Sequence, residues 1–354
     1  MINFTPGPAM LPAAVRAQIA ADWSQAVQDG YGIAEISHRG PEFTALKERC
    51  EDKLRALLGL GEQHRVMFMQ GGANAQFVLL PMNFGAGRYV LSGHWGEKAL
   101  AEAQKIAPDC ACWLRAAADG ELDQASAESE QTSFAYTHIT SNETINGIQL
   151  RSIPKHLQQG APLVADMSSD IGSYPIDYSQ FGLVYAGAQK NLGIAGLTLV
   201  IAREDFLQQA RADLPIMFSY REFAARDSLF NTPPTFAWYV TDLVLSWMQQ
   251  QGGVAALAQV NQRKAETLYA VIDGSDFWRN GVAATWRSWM NVTFRCANTE
   301  LETLFLQQAA DDGMLGLKGH RAVGGMRASI YNAMPLPSVQ QLADFMREFE
   351  RRHG

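Results

Sequence analysis

The chain has 354 residues, of which 47% are hydrophobic and 18% charged, and it carries a formal net charge of −7. So low a charged fraction, against ~25% in ordinary soluble domains, excludes a largely disordered chain, and the length supports a large core in more than one domain. The acidic balance excludes a general nucleic-acid binder but leaves room for a local basic pocket that takes a small anion.

The opening MINFTPGPAM lacks the basic and apolar regions of a secretory signal. No apolar run approaches the ~18 residues of a membrane helix. Cys50, Cys110, Cys112 and Cys296 form neither a metal-binding spacing nor a disulfide framework. A reduced cytoplasmic protein with no metal site is expected.

PEFTALKERCEDKLRALLGL (Pro41 to Leu60) has apolar residues three and four apart and predicts a helix. RVMFMQGGANAQF runs from a strand into a glycine turn and a helix start. RYVLSGHW reads as a strand ending at His94 and Trp95, and Gly96 to Ala107 as the helix after it. The most polar stretch, Ala116 to Ser133, reads as a surface excursion. FAYTHITSNET, PLVADMSS and LVYAGAQK are apolar runs that end in a polar loop, at Asp166 and at Lys190, and GLTLVIARED follows. Apolar strands alternating with helices predict a mostly parallel α/β sheet, which binds ligands beyond the carboxyl ends of its strands.

After residue 255 the pattern changes. Gly252 to Ser275 predicts a long helix, SWMNVTFRC a strand, and TELETLFLQQAADDGM and SVQQLADFMREFERRHG two more helices. This order suits a smaller α+β domain. The expected division is a large domain over 16–255 and a small one over 256–354 joined by residues 1–15.

Lys190 ends an apolar, small-residue run. It is either a lysine snorkelling from a strand end or a desolvated amine able to form a Schiff base. Asp166 is either a helix cap or a buried carboxylate that needs a cation such as a pyridinium nitrogen. Together the two suit pyridoxal phosphate, which needs a lysine for its aldehyde and an acid for its ring nitrogen. QGGANAQF offers backbone N–H groups and a helix dipole to a phosphate, without a Walker A or dinucleotide fingerprint. Trp95 could stack on a flat ring or simply pack at a rim, and Thr144 could give its hydroxyl to a ring oxygen. ISHRG, with His38 and Arg39, and LKGHRAVGGMRAS, with Lys318, His320, Arg321 and Arg327, are basic clusters. Lys318 reads as solvated, and the arginines as forks for carboxylate or phosphate.

These stretches, with SHRGPEF, SNETINGI, YAGAQKN, NTPPTFAWY and GHRAVGGMRASIYNAM, closely resemble the phosphoserine aminotransferase family of the class V, fold-type I pyridoxal-phosphate aminotransferases. The likeness runs from NFTPGPAMLP to FMREFERRHG. It implies a homodimeric transaminase with active sites at the interface, moving an amino group from glutamate to 3-phosphohydroxypyruvate in serine biosynthesis. A four-carbon phosphorylated oxo-acid of pyridoxine biosynthesis would be a second substrate. Lys190 would hold the cofactor, Asp166 its pyridinium nitrogen and Thr144 its phenolic oxygen, with Trp95 stacked on the ring. Ala73, Asn74 and Gln189 would hold the phosphate, with Asn231 and Thr232 reaching over from the second subunit. His38, Arg39, His320 and Arg321 would take the substrate's distal phosphate or carboxylate, and Arg327 the α-carboxylate.

The chain departs from some members at Ala73-Asn74, where they have Gly-Arg, and at Pro6, where they have a substrate-contacting serine. Two rival readings stay open here: an alanine–glyoxylate-type aminotransferase, and a cofactor-binding protein without catalysis. The basic clusters argue against the first, and Lys190, Asp166 and Arg327 against the second.

Overall fold

Seven of the chain's apolar runs pair into one sheet. A computed structural model describes residues 1–25, 30–122 and 133–354, so most of the polar stretch at 116–133 lies outside the described residues. The strands are β1 (His64–Met69), β2 (Arg88–Leu91), β3 (Ala111–Arg115), β4 (Thr137–Thr140), β5 (Leu163–Asp166), β6 (Phe181–Gly187) and β7 (Thr198–Arg203). Their spatial order is β1-β7-β6-β5-β4-β2-β3. All run parallel except β7, which is antiparallel to both β1 and β6.

Every residue of β4, β5 and β6 is buried, as strands covered on both faces require. Alternation along the strands sends neighbouring residues to opposite layers. Ala165, Val184 and Ile201 join a core that holds Phe43, Leu46 and Leu54 of helix Pro41–Leu58 and Trp238 of helix Thr235–Gln250. Val164, Leu183 and Val200 join the core of the other face, with Phe77 of helix Gly72–Phe84 and Leu100 of helix His94–Gln104.

A second, antiparallel sheet joins β8 (Trp278–Arg279), β9 (Asn291–Cys296) and β10 (Met326–Ser329). Helices Gly253–Asp273, Leu301–Asp311 and Leu336–His353 supply its core through Leu268, Phe305 and Leu342. The first of these helices serves both cores, since Val254 and Leu257 at its start pack into the large one. The N-terminal segment also crosses over. Ile2–Asn3 pairs in parallel with Met314–Leu315, and Phe4 is buried in the second core.

The expected helices form with shifted ends. Pro41–Leu58 stops before Leu60 because Gly59 adopts a left-handed conformation, φ 66°, that caps it. The helix expected at 96–107 forms at His94–Gln104.

Candidate active site

Because β7 alone runs backwards, its first residue meets the last residues of its neighbours: Thr198 pairs with Met69 of β1 and Gly187 of β6. The carboxyl edge of the sheet thus gathers the ends of β1, β4, β5 and β6 with the start of β7. A cavity of about 430 Å³ opens there, and Asp166, Lys190, Trp95, Thr144, Ala73, Asn74, Gln189, His320 and Arg327 all line it.

Lys190 follows β6 by one turn. Ala188 N–H donates to Leu197 O at 3.0 Å, closing the loop that carries the lysine back toward the sheet edge. Small residues permit this path: a Cβ on Gly193 would lie 2.8 Å from Thr241 Oγ1. Gly7 packs against the lysine stem, where its own Cβ would sit 3.6 Å from Lys190 Cε. Lys190 Nζ stands 5.9 Å from the centre of the Trp95 ring. Burial lowers the Lys190 pKa, and the carboxylates of Asp166 and Asp170 oppose that shift.

Asp166, the last residue of β5, is 5% exposed. Its Oδ1 accepts from Ser168 N–H at 2.9 Å, and Ser168 Oγ in turn accepts from Gly187 N–H at 3.1 Å. Burial raises the Asp166 pKa, while Ser168 and Lys190 counter it. Arg327 on β10 is equally buried; its Nη1 donates to Thr144 O at 2.9 Å, and its Nε has no partner. Among the described residues neither Asp166 nor Arg327 has an ion-pair partner. A buried carboxylate and a buried guanidinium therefore face one cavity without a direct ion pair, which is costly unless a ligand pairs them.

After β1 the chain turns through Gly71 and Gly72, at φ 94° and 62°, into helix Gly72–Phe84. Only glycine fits the first of these, since a Cβ on Gly71 would lie 2.5 Å from Ala75 Cβ. Gly72 N–H donates to Thr198 Oγ1 at 2.8 Å. The N–H groups of Ala73 and Asn74, in the first turn, have no acceptor within the helix. They open onto the cavity beside Gln189, where a helix start favours an anion.

Five expected residues lie outside the cavity lining of the single chain: His38, Arg39, Arg321, Asn231 and Thr232. Arg39 and Arg321 are exposed. Asn231 Nδ2 donates to Gln70 Oε1 at 3.1 Å, next to the glycine turn. Conversely, the cavity and its support use residues not singled out from sequence. Ser168 and Thr198 orient the edge, and Glu143 is fully buried behind Trp95. Glu143 lies within SNETINGI, and a glutamate in so polar a stretch carries no sequence signal of burial.

The chain matches the family description "Aminotransferase class-V" over residues 1–342. It is 47% identical to the phosphoserine aminotransferase of Acinetobacter baylyi, over 99% of each chain. The solved phosphoserine aminotransferase from Bacillus circulans subsp. alkalophilus is 44% identical, with a TM-score of 0.93 over 99% of this chain and 98% of that one.

This chain belongs to the class-V aminotransferases.

A pyridoxal-phosphate-bound phosphoserine aminotransferase from Trichomonas vaginalis is 33% identical, with a TM-score of 0.89 over 97% of this chain and 99% of that one. The class-V aminotransferase sheet described above therefore has a shared frame, and the donor set at its edge fits pyridoxal phosphate on its own terms. A buried carboxylate without an ion pair suits a pyridinium nitrogen, a desolvated amine suits an aldehyde, and free N–H groups at a helix start suit a phosphate.

Proposed function

We propose that this class-V aminotransferase is a phosphoserine transaminase, reversibly moving the amino group of L-glutamate to 3-phosphohydroxypyruvate in L-serine biosynthesis. The observation that carries the reading is the single cavity holding an amine, an unpaired carboxylate and an unpaired guanidinium. The full-length likeness to phosphoserine aminotransferases supports the choice of substrate.

Bound pyridoxal phosphate supplies an electron sink that stabilises negative charge at the substrate's Cα. Asp166 keeps the ring nitrogen protonated by giving it a buried anionic partner. Trp95 would lie against the ring, and Thr144 Oγ1 would bond its phenolic oxygen. Ala73, Asn74 and Gln189 hold the phosphate. Lys190 Nζ would anchor the cofactor and, when its amine is free, would take the proton from the substrate's Cα and return it. Its lowered pKa suits an amine that must be neutral to accept that proton. Arg327 takes the α-carboxylate bidentately, exchanging burial without a counter-ion for a charge-assisted pair.

His320 and Arg321, with His38 and Arg39, take the distal phosphate of one substrate and the distal carboxylate of the other. Asn231 and Thr232 are supplied across the interface of a homodimer, and we extend that assignment to His38 and Arg39, which also lie outside the cavity of a single chain. No helix among the described residues is long and apolar enough to cross a membrane, and we place the enzyme in the cytoplasm. We divide the chain into a large domain over 16–255 and a small one over 256–354 with residues 1–15; the two cores support the division, although Val15 and Leu257 pack into the large core from across those bounds. The four-carbon phosphorylated oxo-acid of pyridoxine biosynthesis is a second substrate of the same pocket.

The test is an assay of the purified, cofactor-loaded protein with O-phosphoserine and 2-oxoglutarate, read as glutamate formed and as the change in the cofactor's absorbance. Turnover with this pair and not with alanine and glyoxylate is expected. Preference for alanine and glyoxylate would overturn the substrate assignment, and an unchanged spectrum with every donor would overturn catalysis.

A further inference from the structure

Glu143 is a fully buried carboxylate with no cationic side chain bound to it. Its two oxygens accept main-chain hydrogen bonds from consecutive residues: Oε2 from Trp95 N–H at 2.9 Å and Oε1 from Gly96 N–H at 2.8 Å. The next residue, Thr144, holds the other end of the same tryptophan, its Oγ1 accepting from Trp95 Nε1 at 2.9 Å. We propose that Glu143 is a positioning residue that, with Thr144, sets the height and tilt of the Trp95 indole over the cofactor ring.

A carboxylate is an expensive filler for a dry space, and an apolar side chain would fill it at lower cost. What the carboxylate adds is direction. Two N–H groups on one side and an indole N–H on the other fix both ends of Trp95, leaving its side-chain torsions little freedom. The start of helix His94–Gln104 is the place where an anion is best tolerated, because the helix dipole and its free N–H groups face it. Gly93 leaves room for the carboxyl: a Cβ there would lie 2.5 Å from Asn146 Oδ1 and 2.8 Å from both Glu143 Cγ and Cδ. Burial pushes the Glu143 pKa up to about 7, and the two N–H donors restrain the rise. The same turn grips Arg327 through Thr144 O. The indole and the guanidinium therefore share one support.

The proposal rests on the pyridoxal-phosphate reading, and its test separates the two. Cofactor-free wild type, Glu143→Gln, Trp95→Ala and the double variant are titrated with pyridoxal phosphate, following absorbance and induced circular dichroism. Glutamine keeps the volume but sets an NH₂ against one of the main-chain N–H groups. Glu143→Gln is expected to weaken binding about tenfold when Trp95 is present and by less than about threefold in the Trp95→Ala background, because the two act through one contact. Equal losses in both backgrounds, or no loss in either, would overturn the positioning role. A wild type that takes up no cofactor would overturn the functional reading and this proposal with it. Should Glu143→Gln not fold, the same cycle is run with Glu143→Asp, whose carboxylate is one methylene short of both donors, and the same outcomes decide.

Discussion

Lys190 sets a half-buried amine one turn beyond a fully buried strand, and among the described residues no hydrogen bond or ion pair holds it. Lys190→Ala is expected to lower transamination at least about 10³-fold. The urea midpoint of the cofactor-free protein should move little, because truncation leaves no buried donor or acceptor orphaned. Steady-state turnover and equilibrium unfolding of the one variant check both halves. A different buried base governs acid stability. His138 Nε2 lies 2.8 Å from Tyr185 Oη, and burial lowers its pKa from 6.5 to about 3. It is neutral in the fold and protonated in the unfolded chain below pH 6.5, so the stability it contributes is lost as pH falls from 6.5 toward 3. Between pH 6.5 and 5.5 the stability gap between wild type and His138→Gln should narrow by about 1 kcal/mol, read from urea curves at the two pH values. Lys190 and Asp166 were legible in the sequence because each ends an apolar run, where a charge is conspicuous. Ser168, Thr198 and Glu143 were not, because their meaning lies in hydrogen bonds to distant parts of the chain, such as Gly72 to Thr198, 126 residues apart.

At the scale of elements, the helix start that opens onto the cavity depends on a turn that only glycine makes. Gly71→Ala would put a methyl group at φ 94° and within 2.5 Å of Ala75 Cβ, moving the first turn of helix Gly72–Phe84. A stability loss of about 1–3 kcal/mol is expected, with weaker pyridoxal-phosphate binding, measured by urea unfolding and by cofactor titration. The strands and helices themselves were largely readable from apolar runs and helical spacing. The direction of β7 was not: an apolar strand covered on both faces has the same pattern whichever way it runs. Yet that reversal brings Thr198 to the functional edge, where it holds Gly72.

At the scale of the molecule, the cavity of one chain lacks the expected His38–Arg39 pair, and the proposed homodimer supplies it. Lys190→Ala and Arg39→Ala homodimers should each be impaired, the second through a raised KM for the phosphorylated substrate. Unfolding and refolding the two together should yield hybrids that regain a wild-type KM in one of their two sites. If Arg39 served its own chain, both sites of the hybrid would be defective and no such component would appear in the kinetics. No sequence pattern distinguishes a residue that serves its own chain from one that serves a neighbour: resemblance assigned Asn231 and Thr232 to the second subunit, and the crossing of His38 and Arg39 is proposed from their place outside the cavity of one chain.

The N-terminal segment sets a different constraint. Ile2 and Asn3 pair with Met314 and Leu315, Ala9 N–H bonds to Gln189 O at 2.9 Å, and Pro6 and Gly7 wall the cavity between those anchors. One anchor is synthesised near the start of the chain and the other near its end. During translation the sheet, its lysine and the Ala9–Gln189 anchor can assemble while Ile2 and Asn3 still have no strand to pair with. The binding cavity is therefore closed only when the second core emerges, and a nascent chain halted before residue 314 would present Lys190 from an open edge.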